Sequence, residues 1–138
     1  MANLKVATVV RNNMMDEITA YAGASAILRI YSGTQPGGGG AATAQLAELI
    51  CDITAFAAAA AAGALTLNGI TADAAADATG TATWWRLWQS DGTTWIMDGD
   101  ISTILVGTGD MLMDSTSIVL NGNVSMGGPN IFTAPNAA

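Results

Sequence analysis

The stretch from Gly80 to Asp100, GTATWWRLWQSDGTTWIMDGD, constrains the fold more than any other part of the sequence. It contains all four tryptophans of the chain. Two runs of residues that favour β-strands flank Asp91-Gly92, a dipeptide typical of type I′ turns, in which both central residues have positive φ. The stretch therefore predicts a two-stranded hairpin. Its expected cross-strand pairs are Trp88 with Trp95, Leu87 with Ile96, Arg86 with Met97, and Trp85 with Asp98.

Alternation along the two strands distributes the hairpin side chains over two faces, and both faces are partly apolar. The core of a small domain covers one face, so the other needs a second packed layer or another chain. Trp and Arg are the residues most enriched at interface hot spots. We therefore interpret the second face as a subunit contact, with the two sides of a sandwich interior as the alternative. Its candidate contact residues, called the tryptophan face, are Trp84, Arg86, Trp88, Trp95 and Met97.

The composition excludes several kinds of chemistry. A chain of 138 residues predicts one domain that needs no metal or disulfide to stabilise its core. Its single cysteine, Cys51, lies in an apolar run and is expected to be a small buried hydrophobe. The chain has no histidine, so a Ser–His–Asp or Cys–His catalytic set cannot be assembled. We expect neither an enzyme nor a cofactor.

The charge pattern bears on partners and location. The net charge is −7 and there are only four Lys and Arg residues, scattered along the chain. Binding to nucleic acid needs clustered cations, so no nucleic-acid partner is expected. No apolar run approaches the ~18 residues of a membrane span. The first residues do not read as a signal peptide, so we expect synthesis and folding in a cytoplasm.

A helix is predicted over Met14–Ala22, with Asn12 or Asn13 as its N-cap and Gly23 as its stop signal. The preceding residues, Asn3–Val10, are expected to form a short strand or an extended arm. The alanine run that begins at Phe56 is compatible with a short helix or a packed loop.

Short strands separated by turn residues account for most of the remaining sequence. Gly33–Thr43 is expected to be a loop, and Asn68-Gly69 and Asn121-Gly122 predict two further hairpin turns. Together these features predict a mainly β fold, an antiparallel β-sandwich or jelly-roll-like barrel with one short N-terminal helix. Residues 1–138 would form a single domain, with an N-terminal arm (1–10) and a flexible C-terminal tail (134–138). The strands expected outside the hairpin are Ala26–Ser32, Gln45–Ile53, Ala64–Asn68, Ile70–Ala72, Ile101–Val106, Asp110–Met113, Ser117–Leu120, Asn123–Met126 and Ile131–Thr133.

Three aspartates, Asp98, Asp100 and Asp110, form an acidic cluster near a turn. Carboxylates on neighbouring loops can bind Ca²⁺, which takes about six to eight oxygen ligands. The sequence has no EF-hand spacing and no bidentate glutamate, so these residues are weak calcium candidates. Solvated aspartates, one of them paired with Arg86, are the favoured interpretation, and no metal site is predicted.

Five short motifs follow one another along the chain: Arg11–Asp16, Leu28–Pro36, Leu46–Leu49, Gly80–Leu87 and Ser90–Thr93. Their order resembles that of small virion proteins of tailed bacteriophages. The resemblance extends over most of the chain from Arg11 to Gly99 and concerns framework and turn residues. It implies a non-enzymatic structural component of the virion, made in the bacterial host cytoplasm, and favours a capsid decoration (cement) protein.

The leading hypothesis is thus a structural protein that binds and stabilises the capsid. Its expected partners are the major capsid protein or other virion proteins, and the chain itself is expected to form a dimer or trimer. The alternative is a tail or fibre-associated module that recognises a carbohydrate or protein partner through its aromatic face.

Overall fold

A computed structural model describes residues 4–56, 61–127 and 130–133 of the protein. The described chain contains one helix, α1, and ten strands, and the mainly β fold with one short helix is confirmed. Their bounds are α1 Thr8–Ala22, β1 Ile27–Tyr31, β2 Gln45–Cys51, β3 Ala64–Thr66, β4 Ile70–Thr71, β5 Gly80–Thr81, β6 Trp84–Trp88, β7 Trp95–Thr103, β8 Met111–Met113, β9 Ser117–Ile118 and β10 Ile131–Thr133.

Six strands form the main sheet, in the order β4-β2-β1-β6-β7-β8, and the sheet curls into a half-barrel. Neighbours in this sheet are antiparallel except β7 and β8, which are parallel. The sheet is therefore mixed, whereas the sequence pattern predicted antiparallel strands throughout. Two small antiparallel sheets, β10-β3 and β5-β9, complete the strand pairing.

The core lies against one face of the main sheet and contains alternate residues of its central strands. Leu28 and Ile30 in β1 and Trp85 and Leu87 in β6 are buried there, as period-2 alternation requires. The ring of Trp85 lies 5.1 Å from that of Phe132, which joins the main sheet to the β10-β3 sheet. The two sheets thus share one hydrophobic core.

The helix ends where the sequence predicted and begins earlier. Gly23 follows it with φ 66°, and its N–H donates to Thr19 O at 3.3 Å. The first helical residue is Thr8, so the short strand or extended arm expected over 3–10 is wrong at residues 8–10. Asn12, expected as a cap, lies inside the helix, and its Oδ1 accepts a 2.7 Å hydrogen bond from Gly63 N. A long-range contact therefore uses the side chain that local reasoning assigned to capping.

Neither of the two Asn-Gly dipeptides joins paired strands. At Asn68 the side-chain amide donates to the carbonyls of Thr54 and Phe56, both at 2.9 Å, while β3 pairs with β10 and β4 pairs with β2. At Asn121 (φ 62°) the expected turn is present, but the chain after it pairs through Val124 with Asp73. Both hairpin predictions were wrong because strands distant in sequence compete for the same edges.

The Gly33–Thr43 segment is a loop without helix or strand, as predicted. Most of the alanine run (57–60) and the predicted tail (134–138) lie outside the described residues. Within the described ranges, no helix combines the length and apolar character needed to cross a membrane.

Cys51 is buried at the end of β2, as expected, and burial raises the pKa of its thiol to about 12. We predict that the native protein will not react with a thiol reagent at about pH 8, because the thiolate is the reactive form. The reaction rate, followed by absorbance, should rise with added urea in parallel with unfolding. Rapid labelling of the native protein would contradict this prediction.

Candidate functional site: the aromatic cluster and the apolar tip

The tryptophan hairpin forms with a bulge that the sequence did not predict. Trp88 lies opposite Trp95 as expected, but the register then shifts by one residue. Arg86 is consequently opposite Asp98, and Leu87 is opposite Met97. A one-residue shift moves side chains to the other face. Met97 therefore packs against the main core, and its assignment to the tryptophan face was wrong.

The turn also differs from the expected type I′. Gly92 N donates to Gln89 O at 2.9 Å, and Gly92 has φ 67°, but Asp91 does not have positive φ. The Asp91 carboxylate instead accepts hydrogen bonds from the backbone of Thr93 and Thr94 and from the Thr94 hydroxyl. These contacts lower the pKa of Asp91 to about 2, with the Thr94 hydroxyl contributing most.

Tyr31 and three of the hairpin residues form a compact aromatic cluster on the side of the sheet opposite the core. The rings of Tyr31 and Trp84 are stacked, with centroids 4.2 Å apart and planes 14° apart. The Arg86 guanidinium lies 5.2 Å from the Trp84 ring and 5.3 Å from the Trp88 ring. Both distances are within the range of a cation–π interaction, so the guanidinium interacts with both indoles.

A buried ion pair lies at the centre of this cluster. Arg86 Nε and Nη2 donate to Oδ1 and Oδ2 of Asp98 at 2.6 and 2.8 Å, a bidentate arrangement. The two side chains are only 2% and 5% exposed. The hydrogen bonds to Asp98 raise the pKa of Arg86. The pairing of Arg86 with one of the three aspartates was anticipated, but its burial was not.

The glycine-rich loop of the same chain covers the aromatic cluster. Arg86 Nη1 donates to Gly40 O, and Trp84 Nε1 donates to Thr43 Oγ1, each at 2.9 Å. Gly39 (φ 73°) lies against the indole of Trp95, where a methyl group would be 2.9 Å from Cε3. Only glycine combines this conformation with so close an approach. A loop of the same chain thus covers part of this face, for which the sequence favoured a subunit contact, and the run of four glycines was the available signal.

The glycine-rich loop determines which hairpin residues remain exposed to solvent. Trp84 and Arg86 are buried within the chain, so they offer no free surface to a partner. Trp88 is half-buried, and Trp95 is 41% exposed. A contact through the tryptophan face therefore stays a prediction for Trp88 and Trp95.

The three candidate aspartates do not converge on one site. The Asp98 carboxylate accepts a hydrogen bond from Arg86. The carboxylates of Asp100 and Asp110 each accept a hydrogen bond from the backbone N–H of the other residue. Asp110 N donates to Asp100 Oδ1 at 2.8 Å, and Asp100 N donates to Asp110 Oδ2 at 3.3 Å. In the part of the chain that the structure describes, no group of three or more His, Cys, Asp or Glu side chains is placed to hold a metal ion.

A feature that sequence reasoning missed lies between β7 and β8. The predicted strand Ile101–Val106 ends at Thr103, and the next three residues form an exposed turn, here called the apolar tip: Ile104, Leu105 and Val106. Leu105 is 96% exposed. Three consecutive exposed apolar residues are unfavourable in water unless they serve a function.

Hydrogen bonds hold the apolar tip in place. Every backbone N–H from residue 104 to 110, except that of Leu105, donates to an acceptor. Ile104 N donates to Met113 O, and Gly107 N donates to Thr103 O, each at 2.9 Å. The Ser102 hydroxyl accepts from the N–H groups that follow, those of Thr108 and Gly109. The tip is a pre-formed projection whose outermost residue is apolar.

An open cleft of about 330 Å³ adjoins Met113, whose carbonyl accepts the Ile104 hydrogen bond. The polar residues that line this cleft are Asp114, Ser115, Ser117, Asn123 and Ser125.

Comparison of the chain with family models, with curated proteins and with solved structures finds no match. The functional argument therefore rests on the surfaces described above.

Partial desolvation and the neighbouring Asp100 raise the pKa of Asp110. The stability that this group contributes is present below its ordinary pKa and is lost as the pH rises through its raised value. We predict that Asp110→Asn, which keeps an acceptor oxygen, will stabilise the protein at neutral pH by about 0.5 kcal/mol. The gain should shrink toward about pH 3, as measured by urea unfolding across pH. A gain that is independent of pH would contradict the assignment.

Proposed function

We propose that this protein is a non-enzymatic structural component of a bacteriophage virion, which binds the capsid and stabilises it as a decoration protein. The observation that carries the proposal is the apolar tip, a hydrogen-bonded projection with Leu105 at its apex. The proposal also draws on the motif resemblance noted in the sequence. It implies a location in the virion, with the major capsid protein or another virion protein as partner.

The energetics of a repeated small contact suit such a role. Burial of apolar surface contributes roughly 25 cal/mol per Å², so an aliphatic projection adds a modest amount at each site. Because the backbone of the tip is already ordered, little conformational entropy is lost when it docks. Many copies on a lattice would sum these contributions into a substantial stabilisation of the shell.

The second candidate is a tail or fibre-associated module that binds a carbohydrate or protein. The observation that favours it is the indole of Trp95, which is 41% exposed and fixed by a 2.9 Å hydrogen bond from Nε1 to Asp98. Trp84 would not contribute, because its ring is stacked against Tyr31 and covered. A single exposed indole is a smaller platform than the three tryptophans that the hairpin pattern predicted.

Fractionation of virions tests the proposal. A tagged chain would be expressed during growth of the phage that encodes it, and virions purified by density gradient would be separated into heads and tails. We expect the protein in the head fraction at many copies per particle, quantified by mass spectrometry. Occupancy should fall for Leu105→Asp and persist for the control Ile53→Asp, an aliphatic side chain 81% exposed.

The position of the control makes the comparison informative. Ile53 follows β2, which is separated from β7 by β1 and β6 in the sheet. Recovery in the tail fraction would favour the second candidate. Absence from purified virions would overturn both candidates.

A further inference from the structure

We propose that the apolar tip docks into an apolar pocket with a basic rim on a different protein. This inference rests on the proposed function, because it specifies the surface of the virion protein that receives the tip. It is carried by one carboxylate beside the tip, by two more along the β7–β8 pair, and by the partners of the arginines of the chain.

One carboxylate, that of Asp114, lies beside the apolar tip, and those of Asp100 and Asp110 lie about 10 Å away, at the other end of β8. Asp114 is adjacent to Ile104, because a methyl group at Gly127 would lie 2.6 Å from Asp114 Oδ1 and 2.8 Å from Ile104 Cδ1. Asp110 ends the segment that contains the tip, and its backbone N–H donates to Asp100. Asp100 itself lies in β7, three positions before the last residue of that strand. All three aspartates are exposed.

In the described part of the chain, no Lys or Arg forms an ion pair with these three carboxylates. Two ion pairs are found among the described residues, and they join Arg29 to Glu48 and Arg86 to Asp98. Arg11 Nη2 donates to Thr8, within α1. Lys or Arg side chains of a partner would offset the negative charge of these carboxylates.

The same charges argue against a second copy of the chain as the occupant. A symmetric contact between two tips would bring two sets of the same three carboxylates together, and like charges across an interface are unfavourable. The partner is therefore expected to be a different protein, with cations placed around an apolar recess. Oligomer formation by this chain, if present, would use another surface.

Salt dependence separates the two components of this contact. Apolar insertion is insensitive to moderate salt, whereas rim charges are screened when the Debye length falls to a few Å. The charges should therefore contribute at low ionic strength and become negligible at about 0.5 M NaCl. The apolar tip should contribute at both.

The experiment uses the full chain and virions from which it has been stripped. Co-sedimentation would measure binding at about 0.05 M and about 0.5 M NaCl. The variants are Leu105→Asp and the triple neutral variant Asp100→Asn/Asp110→Asn/Asp114→Asn, each checked for native fold by circular dichroism. A control with the same net charge as the triple variant removes acids on α1 and near β2. Its substitutions are Glu17→Gln, Asp52→Asn and Asp77→Asn.

We expect Leu105→Asp to weaken binding at least about tenfold at both salt concentrations. The triple variant should weaken binding about three- to tenfold at low salt and have no effect at high salt, while its control binds like the wild type. Equal behaviour of the triple variant and its control would overturn the basic rim. Undiminished binding of Leu105→Asp to virions would overturn the tip as the contact and leave the proposed function standing.

Two further outcomes concern the occupant and the function. If Leu105→Asp dissociates an oligomer of the purified chain in sedimentation velocity, the tip binds a second copy and the proposal is wrong. If the wild-type chain does not bind the stripped virions at all, the proposed function fails, and the inference fails with it.

Discussion

Replacing Asp98 with alanine is expected to lower the free energy of unfolding by about 3–5 kcal/mol. The substitution leaves the Arg86 guanidinium, which is 2% exposed, without the carboxylate that now accepts two of its hydrogen bonds. Leaving a buried charge unpaired costs far more free energy than the intact pair contributes. The carboxylate no longer offsets the penalty of removing the guanidinium from water. Urea denaturation monitored by circular dichroism gives the change directly.

Glu48→Ala is the matched control for this prediction. Glu48 also forms an ion pair with an arginine, Arg29, but both side chains are considerably more exposed. An exposed pair is worth about 0–1 kcal/mol, so the control should lose no more than that. Equal losses in the two variants would show that burial does not govern the Arg86 pair.

The double variant Arg86→Met/Asp98→Leu tests the cause of the loss. Since both charges are removed together, its stability should return toward that of the wild type. Arg86 also holds the glycine-rich loop through Gly40 O. Accessibility of the Trp88 and Trp95 indoles to acrylamide should therefore rise in the double variant even when global stability is recovered.

The sequence predicted those elements whose signals are local. Alternating apolar residues located β1 and β2, and Gly23 located the end of α1, because each pattern reflects the immediate geometry of the chain. The hairpin and its Trp88–Trp95 pair were predicted for the same reason. The hypotheses of a calcium site and of a subunit contact through the tryptophan face had a weaker basis. Both depend on which side chains lie close together in the folded chain.

The remaining features depend on contacts between distant segments. The bulge at the Leu87–Trp88 step changes which residues face each other, and the sequence carries no sign of it. Because of that shift, Met97 packs against the core and Asp98 lies opposite Arg86. The cover over Trp84 comes from a loop about forty residues earlier in the chain. Such burial follows from tertiary packing, which a periodic pattern cannot specify.

The connection between β7 and β8 is a further departure from the predicted antiparallel order. Parallel neighbours are usually joined by about a dozen residues or more, whereas residues 104–110 suffice here. The short path is feasible because the chain passes directly over the backbone of β7 at Gly109. This crossing is also what places the apolar tip beyond the end of the sheet.

Gly109→Ala is therefore expected to be among the most damaging small substitutions in the chain. A methyl group at Gly109 would lie 2.4 Å from Ser102 N and 2.8 Å from Ile101 C. Both atoms belong to the backbone of β7, so no side chain can move aside, and the strands or their connection must separate. We predict a loss of about 3 kcal/mol, the upper end of the usual cost of overpacking, measured by thermal or urea unfolding.

Gly37→Ala is the control for this substitution, because a methyl group at Gly37 meets no atom within 4 Å and its φ is not positive. It should leave stability unchanged or slightly raised. Relief of the clash at Gly109 would also break the hydrogen bonds from Thr108 and Gly109 to Ser102, which fix the base of the apolar tip. Gly109→Ala should therefore reduce virion binding at temperatures where the domain is still folded. A folded Gly109→Ala protein that binds like the wild type would show that the tip does not need its rigid base.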